Sequence, residues 1–198
     1  MKITIGHLFY DLLNLYGESG NVIALKQALE TQGIEVELRN LSIDNDEWNL
    51  QELDFIYMGT GTENNQKIAL EYLKKHEEEI KEAIENNKFF LVTGNAIELF
   101  GKYIISDDEK LETLGMFDYF TQRTKNRIVS ECIFRFEQME SKILGFENHQ
   151  GKTIESKSPM FTVEKGFGSE ENSGTEGYMD NNFYATYLLG PILVRNPE

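Results

Sequence analysis

Apolar and polar positions divide the first half of the chain into alternating short elements. Residues 2–9, KITIGHLF, read as a first strand. Over 15–33 the pattern predicts a loop and then a helix, with Val22, Leu25, Ala28 and Leu29 on one face. Ser19 or Asn21 can cap its start, and Gly33 stands where a left-handed C-terminal cap belongs. Residues 34–40 alternate as a half-buried strand does, and 54–59 form a short apolar strand that ends in the glycine-broken GTGTENN. From 65 to 87, Ile68, Ala69, Tyr72, Leu73, Ile80, Ala83 and Ile84 keep helical spacing and predict one long helix with a solvated Lys/Glu face. Residues 88–94, KFFLVTG, are apolar throughout, which suits a parallel strand covered on both faces.

This β-α-β-β-α-β-α order is the doubly wound α/β pattern, and the fold class it predicts is flavodoxin-like, with a mostly parallel sheet and helices on both faces. The second half changes character. Residues 116–123, 126–136, 142–155, 160–168 and 182–194 read as strands joined by short turns, and 168–177 as a flexible loop. Those strands are expected to extend the sheet or lie across its edge within one domain, 1–198, with no closing helix after 194.

Composition narrows the partners. A net charge of −15 repels phosphate backbones and anionic membrane surfaces alike. The single cysteine, Cys132, rules out an intramolecular disulfide and fits a reducing compartment. Neither a signal-peptide pattern nor an apolar run of membrane-span length occurs, so a cytoplasmic location is expected. His7, His76 and His149 show no metal-ligand spacing, and neither a metal nor a cofactor is expected. His76 falls on the Lys/Glu-rich helix and is expected to be exposed. In a strand, Cys132 reads as a small buried hydrophobe.

The stretch 89–101, FFLVTGNAIELFG, carries the question of function. A strand stops at a glycine and a helical pattern begins at once, the shape of an elbow that presents a nucleophile. Its apex, Thr93-Gly94-Asn95, holds no cysteine or serine. The loops YGESGN (16–21) and GTGTENN (59–65) also join strand ends to helix starts, where open N–H groups favour anions, although neither matches a nucleotide fingerprint.

Taken in order, LNLYGESGNVIAL, MGTGTENNQ, TKNR (124–127), GFENHQGKT (145–153) and ATYLLGPIL resemble the class I glutamine amidotransferases of the cobyric-acid-synthase type. Among these the chain most resembles the glutaminase subunit of lipid II isoglutaminyl synthase, over essentially its whole length. The resemblance implies a subunit that hydrolyses glutamine and hands ammonia to a Mur-ligase-like, ATP-using partner for amidation of the lipid II D-glutamate. It also implies a cysteine at the elbow, a histidine before Gly-Pro, and backbone N–H groups that hold the oxyanion.

Here Gly94 stands at the cysteine position, Glu98 at a glutamine and Leu189 at the histidine. A one-residue shift would place Thr93 at the elbow, still without a base. Arg127 matches a family arginine that helps to hold glutamine. The loop Gly59–Thr62 matches the oxyanion loop, with Thr60 in place of its middle glycine and Gly61 retained as a substrate-binding candidate. Asn95 adds amide donors beside the elbow. Three readings follow: a non-catalytic, partner-binding or regulatory subunit, an active glutaminase with relocated groups, or a binder of small amino acids or carboxylates.

Overall fold

The computed structural model describes residues 1–44, 48–107, 109–170 and 173–197. In chain order the elements are β1 (Lys2–Leu8), α1 (Ser19–Thr31), β2 (Glu35–Leu41), β3 (Phe55–Met58), α2 (Glu63–Leu73), α3 (Glu77–Glu85) and β4 (Phe89–Thr93). After a 3-10 turn at Gly94–Leu99 come β5 (Tyr103–Ser106), β6 (Glu109–Glu112), β7 (Phe120–Arg135), β8 (Lys142–Ile154), β9 (Phe161–Lys165), β10 (Thr175–Glu176), β11 (Tyr178–Asp180), β12 (Phe183–Thr186) and α4 (Ile192–Arg195).

Among the described residues the strands form two six-stranded sheets. The first runs β11-β12-β4-β3-β1-β2, parallel except for β11, and is the doubly wound sheet expected from the first half. Apolar β4 lies inside it between β3 and β12, although Phe89 at its start stays 47% exposed. Strand order reverses at β1, which pairs with both β2 and β3. Ligand crevices in such sheets open at the carboxyl ends beside the reversal, so the loops after β1, β3 and β4 are placed for function.

The second half departs from expectation. Only β11 and β12 extend the first sheet, while β5 to β10 build a second one, ordered β10-β9-β7-β5-β6 with β8 on β7. Segments 116–123 and 126–136 are not two strands. Residues 120–135 run as one strand, with the pairing to β8 slipping between Arg123 and Ile128. Such a bulge bends and re-aims the strand, and TKNR is that bulge rather than a turn. Every second residue of β8 is buried, Gly145, Glu147, His149, Gly151 and Thr153 among them, which turns this face inward over the elbow. β5 and β6, each four residues long, have no clear periodic signal.

Three local expectations are also revised. The helix predicted over 65–87 is broken by a 3-10 turn at Lys74–His76. His76 there is not exposed but half-buried, stacked on Trp48 and Tyr72 with ring centroids 5.1 and 4.8 Å away. Neither Ser19 nor Asn21 caps α1. Asn14 Oδ1 accepts from the Ser19 N–H at 3.0 Å, and Asn21 is drawn into the interior. The segment 182–194 keeps sheet structure only at Phe183–Thr186 and then closes on a single helical turn, α4. Gly33 has φ +79°, as a left-handed cap requires. Of the loop expected at 168–177, residues 171–172 lie outside the described residues.

Candidate functional site

β4 ends at Thr93, and the backbone turns at Gly94 with φ +61°. Glycine adopts that left-handed conformation without penalty, and any other residue there is strained. The elbow expected from the sequence is therefore formed, but its apex is filled. A Cβ on Gly94 would lie 2.4 Å from Thr60 Cβ, 2.5 Å from Thr60 Oγ1 and 2.7 Å from Leu189 Cδ2. Thr60, Gly94 and Leu189, the three positions where the sequence was expected to depart from the family pattern, thus meet at one point in space.

The anion-holding N–H groups are occupied too. Asn95 N–H donates to Thr60 Oγ1 at 3.2 Å, and Gly61 N–H donates to Asn95 Oδ1 at 3.2 Å. The Thr60 hydroxyl donates to the same Oδ1 at 2.7 Å, and Asn95 Nδ2 donates to the Gly61 carbonyl at 2.9 Å. Both the Oδ1 and Nδ2 atoms of Asn95 are thus engaged with the loop after β3.

Beside this plug opens a cavity of about 460 Å³. Its walls come from the loops after β1 and β3, from Asn95 and Glu98, and from Arg123, Arg127 and Asn148–Gly151 on the second sheet. Arg127 lies on the exposed rim and donates to Asn148 Oδ1 at 2.7 Å, while Asn148 Nδ2 donates to Tyr16 Oη at 3.4 Å. Arg123, which no sequence argument selected, is mostly buried in the wall. Its Nη2 and Nε reach Glu98 Oε2 at 2.6 and 3.1 Å, and Nη2 also donates to Gln66 Oε1. Gln66 Nε2 in turn donates to the Asn95 carbonyl at 2.5 Å and to Glu98 Oε2 at 3.0 Å. Glu98, at the position where the resemblance implies a glutamine, is thus paired with a cation and locked against the elbow. The one available signal was Glu98 itself, the single charge in the turn Gly94–Leu99.

The remaining titratable and hydroxyl candidates lie around this cavity or behind it. Thr93 Oγ1 is fully buried, donates to Glu18 Oε2 at 2.5 Å, and is absent from the cavity wall. Cys132 is buried between the second sheet and Leu188, and burial, reinforced by the carboxylates of Glu147 and Glu176, pushes its thiol far above the ordinary range. His149 does line the cavity. Its Nδ1–H donates to the Gly151 carbonyl at 2.7 Å, its ring stacks on Tyr187 at 4.1 Å, and Nε2 faces Glu147 at 3.8 Å. His7 sits in the core against Tyr57. Among the described residues, no group of three or more His, Cys, Asp or Glu is arranged to hold a metal ion, and no helix is long and apolar enough to cross a membrane.

Two buried titratable groups give the fold an opposed pH response. Burial raises the Glu176 carboxyl to about 8, so its contribution is full below the ordinary carboxylate pKa and is lost as pH rises toward 8. Burial lowers His7 to about 4, so its contribution is full above 6.5 and is lost as pH falls toward 4. Thermal midpoints measured from pH 4 to 9 are expected to peak between these limits. Glu176→Gln should flatten the alkaline side alone, and an unchanged alkaline slope would contradict the assignment.

Compared with known proteins, the model of the CobB/CobQ-like glutamine amidotransferase domain matches residues 4–197. The chain is 33% identical over 198 residues to the lipid II isoglutaminyl synthase (glutamine-hydrolyzing) subunit GatD of Staphylococcus aureus, covering 100% of this chain and 81% of that one. The GatD subunit of Streptococcus pneumoniae is 31% identical over 199 residues, covering 98% of this chain and 76% of that one. A probable cobyric acid synthase of Methanocaldococcus jannaschii is 27% identical over 66% of this chain and 29% of its own length. Among solved structures, a glutamine amidotransferase superposes with TM-score 0.61 at 17% identity, over 98% of this chain and 93% of that one. PurLQS from Thermotoga maritima gives 0.57 at 14%, over 96% and 87%. At those identities the structural likeness speaks for the fold alone.

Proposed function

The chain belongs to the CobB/CobQ-like glutamine amidotransferases, and from that premise we propose that it is a non-catalytic amidotransferase-like subunit that binds or regulates a Mur-ligase-like, ATP-dependent synthase. The observation that carries this reading is the filled elbow. Thr60 and Leu189 occupy the volume a thiol needs, and side chains of this same chain satisfy the two N–H groups that would hold an oxyanion. Nucleophilic glutamine hydrolysis requires a thiolate, a base beside it and open donors. This site offers apolar and saturated groups in all three places. Similarity to GatD over the whole chain supports retention of the partner surface, because that relative is named as one subunit of a synthase.

The test supplies purified chain with its synthase partner and glutamine. Ammonia release is expected to stay at the no-protein blank while the two proteins co-purify. Clear turnover would sink the non-catalytic reading, and failure to associate would sink the subunit reading.

A second reading, a receptor for a small carboxylate or amino acid, is favoured by the cavity rimmed by Arg127 and Asn148. A rise in melting temperature with glutamine or glutamate would support it, since a ligand that binds only the native state stabilises it.

A further inference from the structure

Beneath the elbow three oxygens touch one another. Thr93 Oγ1 and Tyr57 Oη each lie 2.5 Å from Glu18 Oε2, and the two hydroxyl oxygens are 2.8 Å apart. Glu18, Tyr57 and Thr93 are all fully buried. Asn21 Nδ2 donates to Tyr57 Oη at 2.9 Å, and Gly190 N–H donates to the other carboxyl oxygen, Glu18 Oε1, at 3.0 Å.

The hydrogens can be counted. Two hydroxyls bring two hydrogens to three oxygen–oxygen contacts, and an ionised carboxylate brings none. With Glu18 charged, one contact sets lone pair against lone pair where water does not reach. The hydrogen-bond partners of the Glu18 carboxyl among the described residues are two hydroxyls and one backbone N–H, none of them cationic. An unpaired buried charge is the costliest state available to such a group.

We propose that Glu18 folds as a neutral carboxylic acid, that its proton is the third hydrogen of a closed Glu18–Tyr57–Thr93 ring, and that this ring latches residues 189–191 over the elbow. The latch follows from what the ring holds. Gly190 is gripped at its N–H by Glu18 and at its carbonyl by Asn21 Nδ2 at 3.4 Å, and Asn21 Oδ1 accepts from Leu193 N–H at 3.0 Å. Leu189, the lid of the plug, is the residue before Gly190. When the proton leaves to water, the new charge repels the lone pairs around it. Release of 189–191, which admits water, relieves that repulsion.

The surroundings agree. Burial raises the Glu18 carboxyl above the ordinary range against the lowering effect of the Thr93, Tyr57 and Gly190 hydrogen bonds. On the β1 side the titratable neighbour is His7, whose ring centroid is 5.2 Å from that of Tyr57, and the Asp11 carboxylate acts on its imidazole. Burial keeps that imidazole neutral at pH 7 and also holds the Tyr57 phenol protonated. Among the described residues, α1 bonds the ring through the neutral amide of Asn21 and β4 through Thr93. A raised carboxyl pKa makes the latch complete below the ordinary carboxylate range and open as pH climbs through the raised value.

Infrared spectra and amide hydrogen exchange of the full chain test this. At pH 7 a protonated-carboxyl carbonyl band should be present, lost in Glu18→Gln and distinct from the band lost in Glu176→Gln. Raising the pH should remove the Glu18 band together with about a tenfold or greater fall in protection at the Gly190 amide, after correction for intrinsic exchange. Glu18→Gln, uncharged and of the same shape, should abolish that step and keep the unfolding equilibrium constant within about tenfold of the parent. Three results would each overturn the proposal: no Glu18 band at pH 7, a Gly190 amide indifferent to loss of the band, or a loss in Glu18→Gln of about a hundredfold or more. That last outcome would mean that both hydroxyls donate to a carboxylate. Association with a synthase partner is measured separately and stands or falls independently.

Discussion

Arg123→Met is expected to destabilise the protein by about 3–5 kcal/mol, the cost of stranding one half of a buried ion pair. The Glu98 side chain is 2% exposed and that of Arg123 11%, so the pair is largely shielded from water. Without the cation, Glu98 Oε2 keeps only the Gln66 Nε2 donor, and Gln66 Oε1 loses its own donor at the same time. The loss should therefore exceed that of an exposed pair such as Lys26–Glu30, where about 0.3–0.5 kcal/mol is usual. Glu98→Gln in the Arg123→Met background removes the stranded charge, and most of the lost stability should return. A double-mutant cycle in urea reads this directly. Equal losses in the single and double variants would mean that Arg123 acts through packing alone.

Gly94→Cys is expected to cost about 1–3 kcal/mol and to release no ammonia from glutamine. Part of the cost is backbone strain, because φ +61° is unfavourable for a side chain. The larger part is steric. Thr60 is a β-branched residue 3% exposed, held by two hydrogen bonds to Asn95, so it cannot swing away from a Cβ placed 2.4 Å from its own. Thr60→Gly should therefore rescue Gly94→Cys by at least half of its loss, a coupling visible only in the double variant. The rescued thiol should react with alkylating reagents, while hydrolysis stays absent because Leu189 offers no base. Additive losses at 60 and 94 would contradict a plug shared between them.

Strong local patterns carried much of the fold. The apolar runs at 2–9, 54–59 and 88–94 became β1, β3 and β4, and the glycine at 94 became the elbow, because side-chain period and positive φ are properties of a few neighbouring residues. What failed were features that depend on partners distant in sequence. Lys74–His76 reads as helix by period, yet the chain breaks there with His76 stacked on Trp48 from another segment. Asn21 reads as a cap by type, yet its amide is spent on Tyr57, Gly190 and Leu193. The segments of β7 and β8 read as strands that extend the first sheet or lie across its edge, yet they belong to a second sheet whose alternation buries a face over the elbow.

The site divides in the same way. That position 94 carries no thiol and position 189 no imidazole was legible residue by residue, since a reactive group is either encoded or it is not. That Thr60 and Leu189 converge above Gly94, that Asn95 consumes the donors of its own loop, and that Arg123 rather than a rim arginine neutralises Glu98 were not legible. The sequence by itself determined the family, the doubly wound half of the fold and the identity of residues 94 and 189 as glycine and leucine. Only the tertiary structure decided that the vacated volume is packed rather than open, because packing depends on which distant side chains share a space, and no local pattern records that.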